Sequence, residues 1–107
     1  SYVQELLYLL RKNFAEDIKL EALAQNMNIS YEHLCRSFKK VVGKSPKKFL
    51  NDLRFQHAVY LMKTSEHQTI AEIAESCGFS DMSYFAKCFR QKTGKTPSEY
   101  RNHMAGE

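Results

Sequence analysis

Little in this chain interrupts regular structure. Four glycines and two prolines punctuate 107 residues, too few for a loop-rich or low-complexity protein. Cysteine is scarce and odd in number: Cys35, Cys77 and Cys88 lack C-x-x-C spacing, which argues against a disulfide framework. Long apolar runs are missing as well. Stretches such as Ala58 to Met62 fall far short of the ~20 residues that span a bilayer. The sequence does not open on a signal-peptide pattern. His33, His57, His67 and His103 are scattered and form no ligand constellation. Neither a nucleophile–base pairing nor a glycine-rich phosphate loop is present, so an enzyme is not expected and no cofactor is implied. The expectation is a soluble, reduced, cytoplasmic chain.

Leu, Ile, Phe, Tyr, Val and Met supply core material for one domain or two small subdomains. Chains of this size bury roughly 60–70% of their unfolded surface, enough to fold without metals or cross-links. The net charge is a modest +4, but its placement is informative. Residues 30–63 carry eight basic side chains against two acidic ones, and residues 81–104 carry five against two. The stretches before each block are net acidic. Positive charge therefore recurs along the chain, as expected for a polyanion met twice.

Apolar spacing is helical throughout, and no segment alternates convincingly with period two. Val3, Leu6, Leu7, Leu10 and Phe14 form one stripe over residues 3–14. Leu20, Leu23, Ala24 and Met27 form a second, short helix. Ser30 caps a third, whose buried face is read as Leu34, Phe38 and Val41, and Gly43 ends it. Ser45-Pro46 restarts the chain with a capping hydroxyl and Pro at the first helical position. The helix that follows runs to about Lys63, roughly 27 Å of rod. Thr69 and Glu72 make a capping box for a fifth helix, with Ile70, Ile73, Ala74 and Cys77 inward. Ser80 is read as the cap of a sixth helix through Phe85 and Phe89, stopped at Gly94. Thr96 and Glu99 open a seventh.

The chain also repeats itself. Phe38 to Phe49 (FKKVVGKSPKKF) and Phe89 to Tyr100 (FRQKTGKTPSEY) share Gly-Lys-(Ser/Thr)-Pro between aromatic residues. Leu23-Ala24, Met27, Ile29 and Ser30 match Ile73-Ala74, Cys77, Phe79 and Ser80 at fifty positions. Leu34, Arg36, Phe38 and Gly43 match Phe85, Lys87, Phe89 and Gly94 at fifty-one, so one residue is inserted near the start of the second copy's later helix. Each unit is a short helix, a three- to four-residue turn and a longer basic helix, the dimensions of helix-turn-helix. Opposite the buried positions, the first unit projects Glu32, Cys35, Arg36 and Lys39. The second projects Ser83, Tyr84, Lys87, Gln91 and Arg90.

With these residues in place, the chain resembles the C-terminal DNA-binding region of AraC/XylS transcription regulators, from about Asp17 to Arg101. The most specific stretch is Ile70 to Ala74 through Gly78-Phe79-Ser80, Phe85, Phe89, Gly94, Thr96-Pro97 and Tyr100-Arg101. The resemblance implies an all-α fold of about seven helices, with two helix-turn-helix subdomains (1–45 and 64–107) joined by a rigid linker helix over 46–63. It implies a bacterial, cytoplasmic regulator that sets both reading helices (about 30–42 and 80–93) into successive major-groove segments of double-stranded DNA. Carried over by position, base-edge readers fall at Glu32, Cys35 and Arg36 in the first unit and at Ser83, Tyr84 and Lys87 in the second. Two departures stand out. Lys19 occupies the position where relatives commonly carry a capping Ser or Thr, and Cys35 stands where many place a long polar reader.

Chemistry assigns the contacts further. Arg36 suits bidentate donation to guanine O6 and N7, Lys87 the same edge as a point charge, Glu32 cytosine N4 and Tyr84 a thymine methyl. Lys39, Lys40, Lys44, Arg90 and Lys95 suit phosphates, as do the helix-start amides behind Ser30, Ser45, Ser80 and Thr96. Two reading helices in one chain need a separation of about 34 Å to meet one DNA face and no second copy, so this fragment is expected to be monomeric. The whole regulator is expected to be longer, with a preceding domain that can dimerise and with RNA polymerase as a further partner. The rival reading is a basic helical module that binds RNA or a protein.

Overall fold

The computed structural model describes residues 1–106. Among them are seven helices and no strand: α1 (Tyr2–Asn13), α2 (Leu20–Asn26), α3 (Tyr31–Val42), α4 (Pro46–Thr64), α5 (Ile70–Ser76), α6 (Met82–Thr93) and α7 (Pro97–Ala105). No helix among the described residues is long and apolar enough to cross a membrane. The chain divides into two units at Leu53 and Arg54, inside α4.

The first unit gathers α1, α2, α3 and the start of α4 around Val3, Leu6, Leu10, Leu20, Ala24, Leu34, Phe38 and Leu50. Phe49 meets Phe38 edge-on, with ring centroids 5.6 Å apart. Ser30 caps α3 by accepting from the His33 amide at 3.0 Å, and Ser45 caps α4 by accepting from the Lys48 amide at 3.2 Å. Lys19 precedes α2 without any side-chain cap bond. One expected core residue is displaced: Val41 is 70% exposed. Its neighbour Val42 packs against the core instead, because position 42 lies four residues, one full turn, beyond Phe38.

The second unit repeats the plan with the end of α4, then α5, α6 and α7, around Ala58, Met62, Ile73, Ala74, Cys77, Phe79, Phe85 and Phe89. Its core is an aromatic chain. Phe79 meets Phe85 at 4.8 Å, Phe85 meets Phe89 at 5.2 Å, and Phe89 meets both Tyr100 at 5.4 Å and Phe55 at 4.7 Å. Both expected capping boxes form, at Thr69/Glu72 and Thr96/Glu99. Hydrogen bonds donated by the Thr69 and Thr96 backbone amides hold the Glu72 and Glu99 carboxyls below the usual carboxylate range. Burial pushes the Cys77 thiol up to about 11. Helix α4 is thus the closing helix of one core and the opening helix of the next.

Candidate nucleic-acid interface

The two turns that aim α3 and α6 are the same object built twice. In the first, the Asn28 amide donates to Gln25 O at 3.0 Å and the Ile29 amide to Ala24 O at 3.1 Å. In the second, Gly78 donates to Glu75 O at 3.1 Å and Phe79 to Ala74 O at 3.0 Å. This is the double closure of a helix end by a left-handed residue followed by an apolar one. Asn28 has φ 59° and Gly78 φ 93°, a region open to Gly and tolerated by Asn. Ile29 packs on the first core and Phe79 lies buried in the second, so each turn is pinned from below.

The insertion that separates the two copies falls in this turn, before the second reading helix begins. Asp81, not Ser80, caps α6: its Oδ1 accepts from the Ser83 amide at 2.8 Å. Ser80 is exposed and lies outside the helix. The reason is one of register, since Asp81 stands fifty-one positions after Ser30, the same offset that relates Gly43 to Gly94. A carboxylate therefore occupies the helix-start amide that Ser80 was expected to leave for a phosphate.

Around that register the sites divide as follows. On α3, Glu32, Arg36, Lys39 and Lys40 are exposed and Cys35 is half-buried, above buried Leu34 and Phe38. On α6, Ser83, Tyr84, Lys87 and Arg90 are exposed, above buried Phe85 and Phe89. Arg36 and Lys87 are equivalent in the cap-anchored register. Tyr84 is equivalent to His33, whose Nε2 lies 2.7 Å from the Tyr2 hydroxyl of α1. Ala86, half-buried, takes the place of Cys35. Sequence reasoning passed over Ala86, Met82 and Asp81; the offset between the two glycine stops carries the signal that finds them.

Two of the expected phosphate contacts are drawn partly into the fold. Lys44 lies 2.7 Å from Asp52, which also receives Lys48 at 3.5 Å on its other oxygen. The Lys44 ammonium also stands 6.0 Å from the Phe49 ring centroid. Lys95 is half-buried in the short connection before α7, where its amide donates to Thr93 Oγ1 at 3.1 Å. Arg101, counted in the second basic block, turns to backbone: Nη1 donates to Gln68 O at 2.5 Å and Nη2 to Ser65 O at 3.0 Å. Of the cations expected to meet DNA, Arg36, Lys39 and Lys40 in one unit and Lys87 and Arg90 in the other are exposed, and these five lie on α3 or α6.

Residues 23–103 match the helix-turn-helix domain family. The structure superposes on a probable AraC family transcriptional regulator from Rhodopseudomonas palustris CGA009 with a TM-score of 0.79, at 30% identity over 94% of each chain. This chain belongs to the AraC-type helix-turn-helix family. Members of the AraC type are DNA-binding domains of transcription regulators and not enzymes. The HTH-type transcriptional activator RhaS of Salmonella schwarzengrund (strain CVM19633) is 34% identical over 99 residues, covering 92% of this chain and 35% of that protein. The chain therefore spans about a third of the length of the curated relatives it matches. The AraC-type fold is also seen in the DNA-binding domain of AdpA, a global transcriptional factor solved in complex with a target DNA. That domain is 27% identical, with a TM-score of 0.85 over 94% of this chain and 90% of that one.

Proposed function

We propose that this chain is the part of a longer bacterial transcription regulator that binds double-stranded DNA by sequence. Each unit lays its own second helix in the major groove, α3 in one segment and α6 in the next. The observation that carries this reading is the paired register of Arg36 and Lys87. Two copies of one helix-turn-helix frame hold an exposed cation at the same position, directly opposite buried aromatic or aliphatic residues.

Within that reading Arg36 donates to guanine O6 and N7, Lys87 to the same edge as a point charge, and Glu32 accepts from cytosine N4. Cys35, Ser83 and Tyr84 complete the base-facing set. Lys39, Lys40 and Arg90 lead the phosphate contacts, and Ser30 marks the open helix start of the first unit. Lys44 contributes less charge, its ammonium being paired with Asp52, and Lys95 is half-buried. Because the two sets of readers differ, the preferred site is asymmetric. The domain acts as a monomer in the cytoplasm, while pairing of the whole regulator and contact with RNA polymerase belong to the longer protein.

Site selection from random duplex DNA followed by footprinting tests the proposal. A protected stretch of about 20 base pairs with two major-groove segments is expected. Affinity should fall with salt at a log–log slope of about −0.9 per phosphate neutralised. Equal affinity for single-stranded RNA and duplex DNA would replace this reading with that of a general basic module.

A further inference from the structure

We infer that the second unit reads thymine through its 5-methyl group, using Met82 and Tyr84 at the amino end of α6. This rests on the DNA-binding reading above and adds the chemical group that one of the two units selects. Met82 is 44% and Tyr84 39% exposed, and both belong to the first turn of α6, on either side of Ser83. The other large exposed hydrophobic residues are Tyr8, Val41 and Tyr60, none of them at the start of a reading helix.

The first unit offers nothing comparable there. In the cap-anchored register Met82 corresponds to Tyr31, which packs against the first core. Tyr84 corresponds to His33, which is bonded to the Tyr2 hydroxyl. The start of α3 thus presents Glu32 and an imidazole, whereas the start of α6 presents a thioether and a phenol ring.

The ring of Tyr84 is preset. Its centroid lies 6.3 Å from that of Phe79, tilted 47°, and Phe79 is buried in the second core. Holding the ring before contact reduces the ordering cost of binding. Met82 supplies the complement, a flexible, polarizable chain that adapts to a small apolar knob. Lys87 and Arg90 follow on the same helix, exposed and cationic. Two positions apart, Met82 and Tyr84 point to different sides of the helix start, and Tyr84 stands one turn before Lys87. An apolar group in line with cations fits a major-groove edge, where the thymine methyl is the apolar group among donors and acceptors and phosphates line both sides. An apolar protein surface would leave those two cations without counter-charge.

A deoxyuridine scan tests the inference directly. Each thymidine of the selected duplex is replaced in turn, which removes the methyl and leaves the pairing edge intact. One or two positions should lose affinity roughly fourfold each, the value of one buried methyl-sized group. Met82→Ala and Tyr84→Ala should each erase the deoxyuridine effect at its own position. The scan on the unaltered protein stands even where a variant folds poorly. Tight binding that is indifferent to every deoxyuridine would overturn methyl reading and leave the DNA-binding function in place. A chain that binds no duplex at any salt concentration would overturn both.

Discussion

The Arg101 guanidinium reaches back thirty-three residues to donate to the carbonyl oxygen of Gln68, at 2.5 Å. The same group also meets the carbonyls of Ser65 and Glu66, at 3.0 and 3.3 Å. One side chain of α7 thereby closes the connection that leads from α4 into α5. Charged hydrogen bonds of this kind contribute about 1.5–3 kcal/mol. Arg101→Ala should lower unfolding free energy by roughly that amount, with Arg101→Lys recovering part of it, since an ammonium lacks the planar fork. Urea unfolding followed by circular dichroism checks both. The salt slope of DNA binding should not change, because this cation is committed to backbone.

Asn28 and Gly78 share one backbone task with different chemistry, which predicts an order of stabilities. Gly78→Ala should cost about 1–2 kcal/mol, the left-handed penalty of an ordinary L residue. Gly78→Asn should cost less, since the first unit already runs its turn on Asn. Thermal melts of the two variants side by side are sufficient, and equal losses would show that the turns are not equivalent.

Arg36 and Lys40 sit on the same helix and should fail differently. Arg36→Ala should cost about 1–3 kcal/mol at one base step and relax preference there. Lys40→Ala should weaken all sequences alike and reduce the salt slope by about one unit. Binding isotherms on the selected duplex and on single-base variants of it separate the two patterns.

Acid should loosen the second unit through its capping boxes. The Glu72 and Glu99 carboxyls are held low by the hydrogen bonds they accept from the Thr69 and Thr96 backbone amides. A depressed folded-state value stabilises above the ordinary carboxylate range and is lost as pH falls through the folded value. Stability should therefore decline as pH drops from about 4.5 downward. The double variant Glu72→Gln, Glu99→Gln should show a shallower decline in melting temperature over that window. An unchanged acid slope would remove the boxes from the account.

Much of this architecture is legible in the sequence because helix ends carry local chemistry. Thr69 with Glu72, Thr96 with Glu99, and Ser30 before an apolar stripe each state a start, and Gly43 and Gly94 state stops. What is not legible depends on packing or on distant partners. Val41 and Val42 both satisfy a helical wheel, and only the packed core selects Val42. Ser80 and Asp81 are adjacent residues of capping type, and the choice between them depends on where the extra residue sits in the turn. The charge of Lys44 reads as open to phosphate until the chain folds Asp52 back onto it. The same holds for Arg101, whose place in a basic block gives no sign of the loop carbonyls it closes. The exposed side chains of α3 follow from periodicity, whereas the equivalence of Ala86 with Cys35 needs the corrected register.

Helix α4 lends Leu50 to one core and Ala58 with Met62 to the other. Scission after residue 64 would therefore strip the downstream half of Phe55, Ala58 and Met62 and leave Phe89 facing solvent on one side. No single cut at an inter-helix loop leaves both halves with a whole interior. A gene fragment meant to yield the second unit alone must begin inside α4, no later than Arg54, and not at the connection after Thr64.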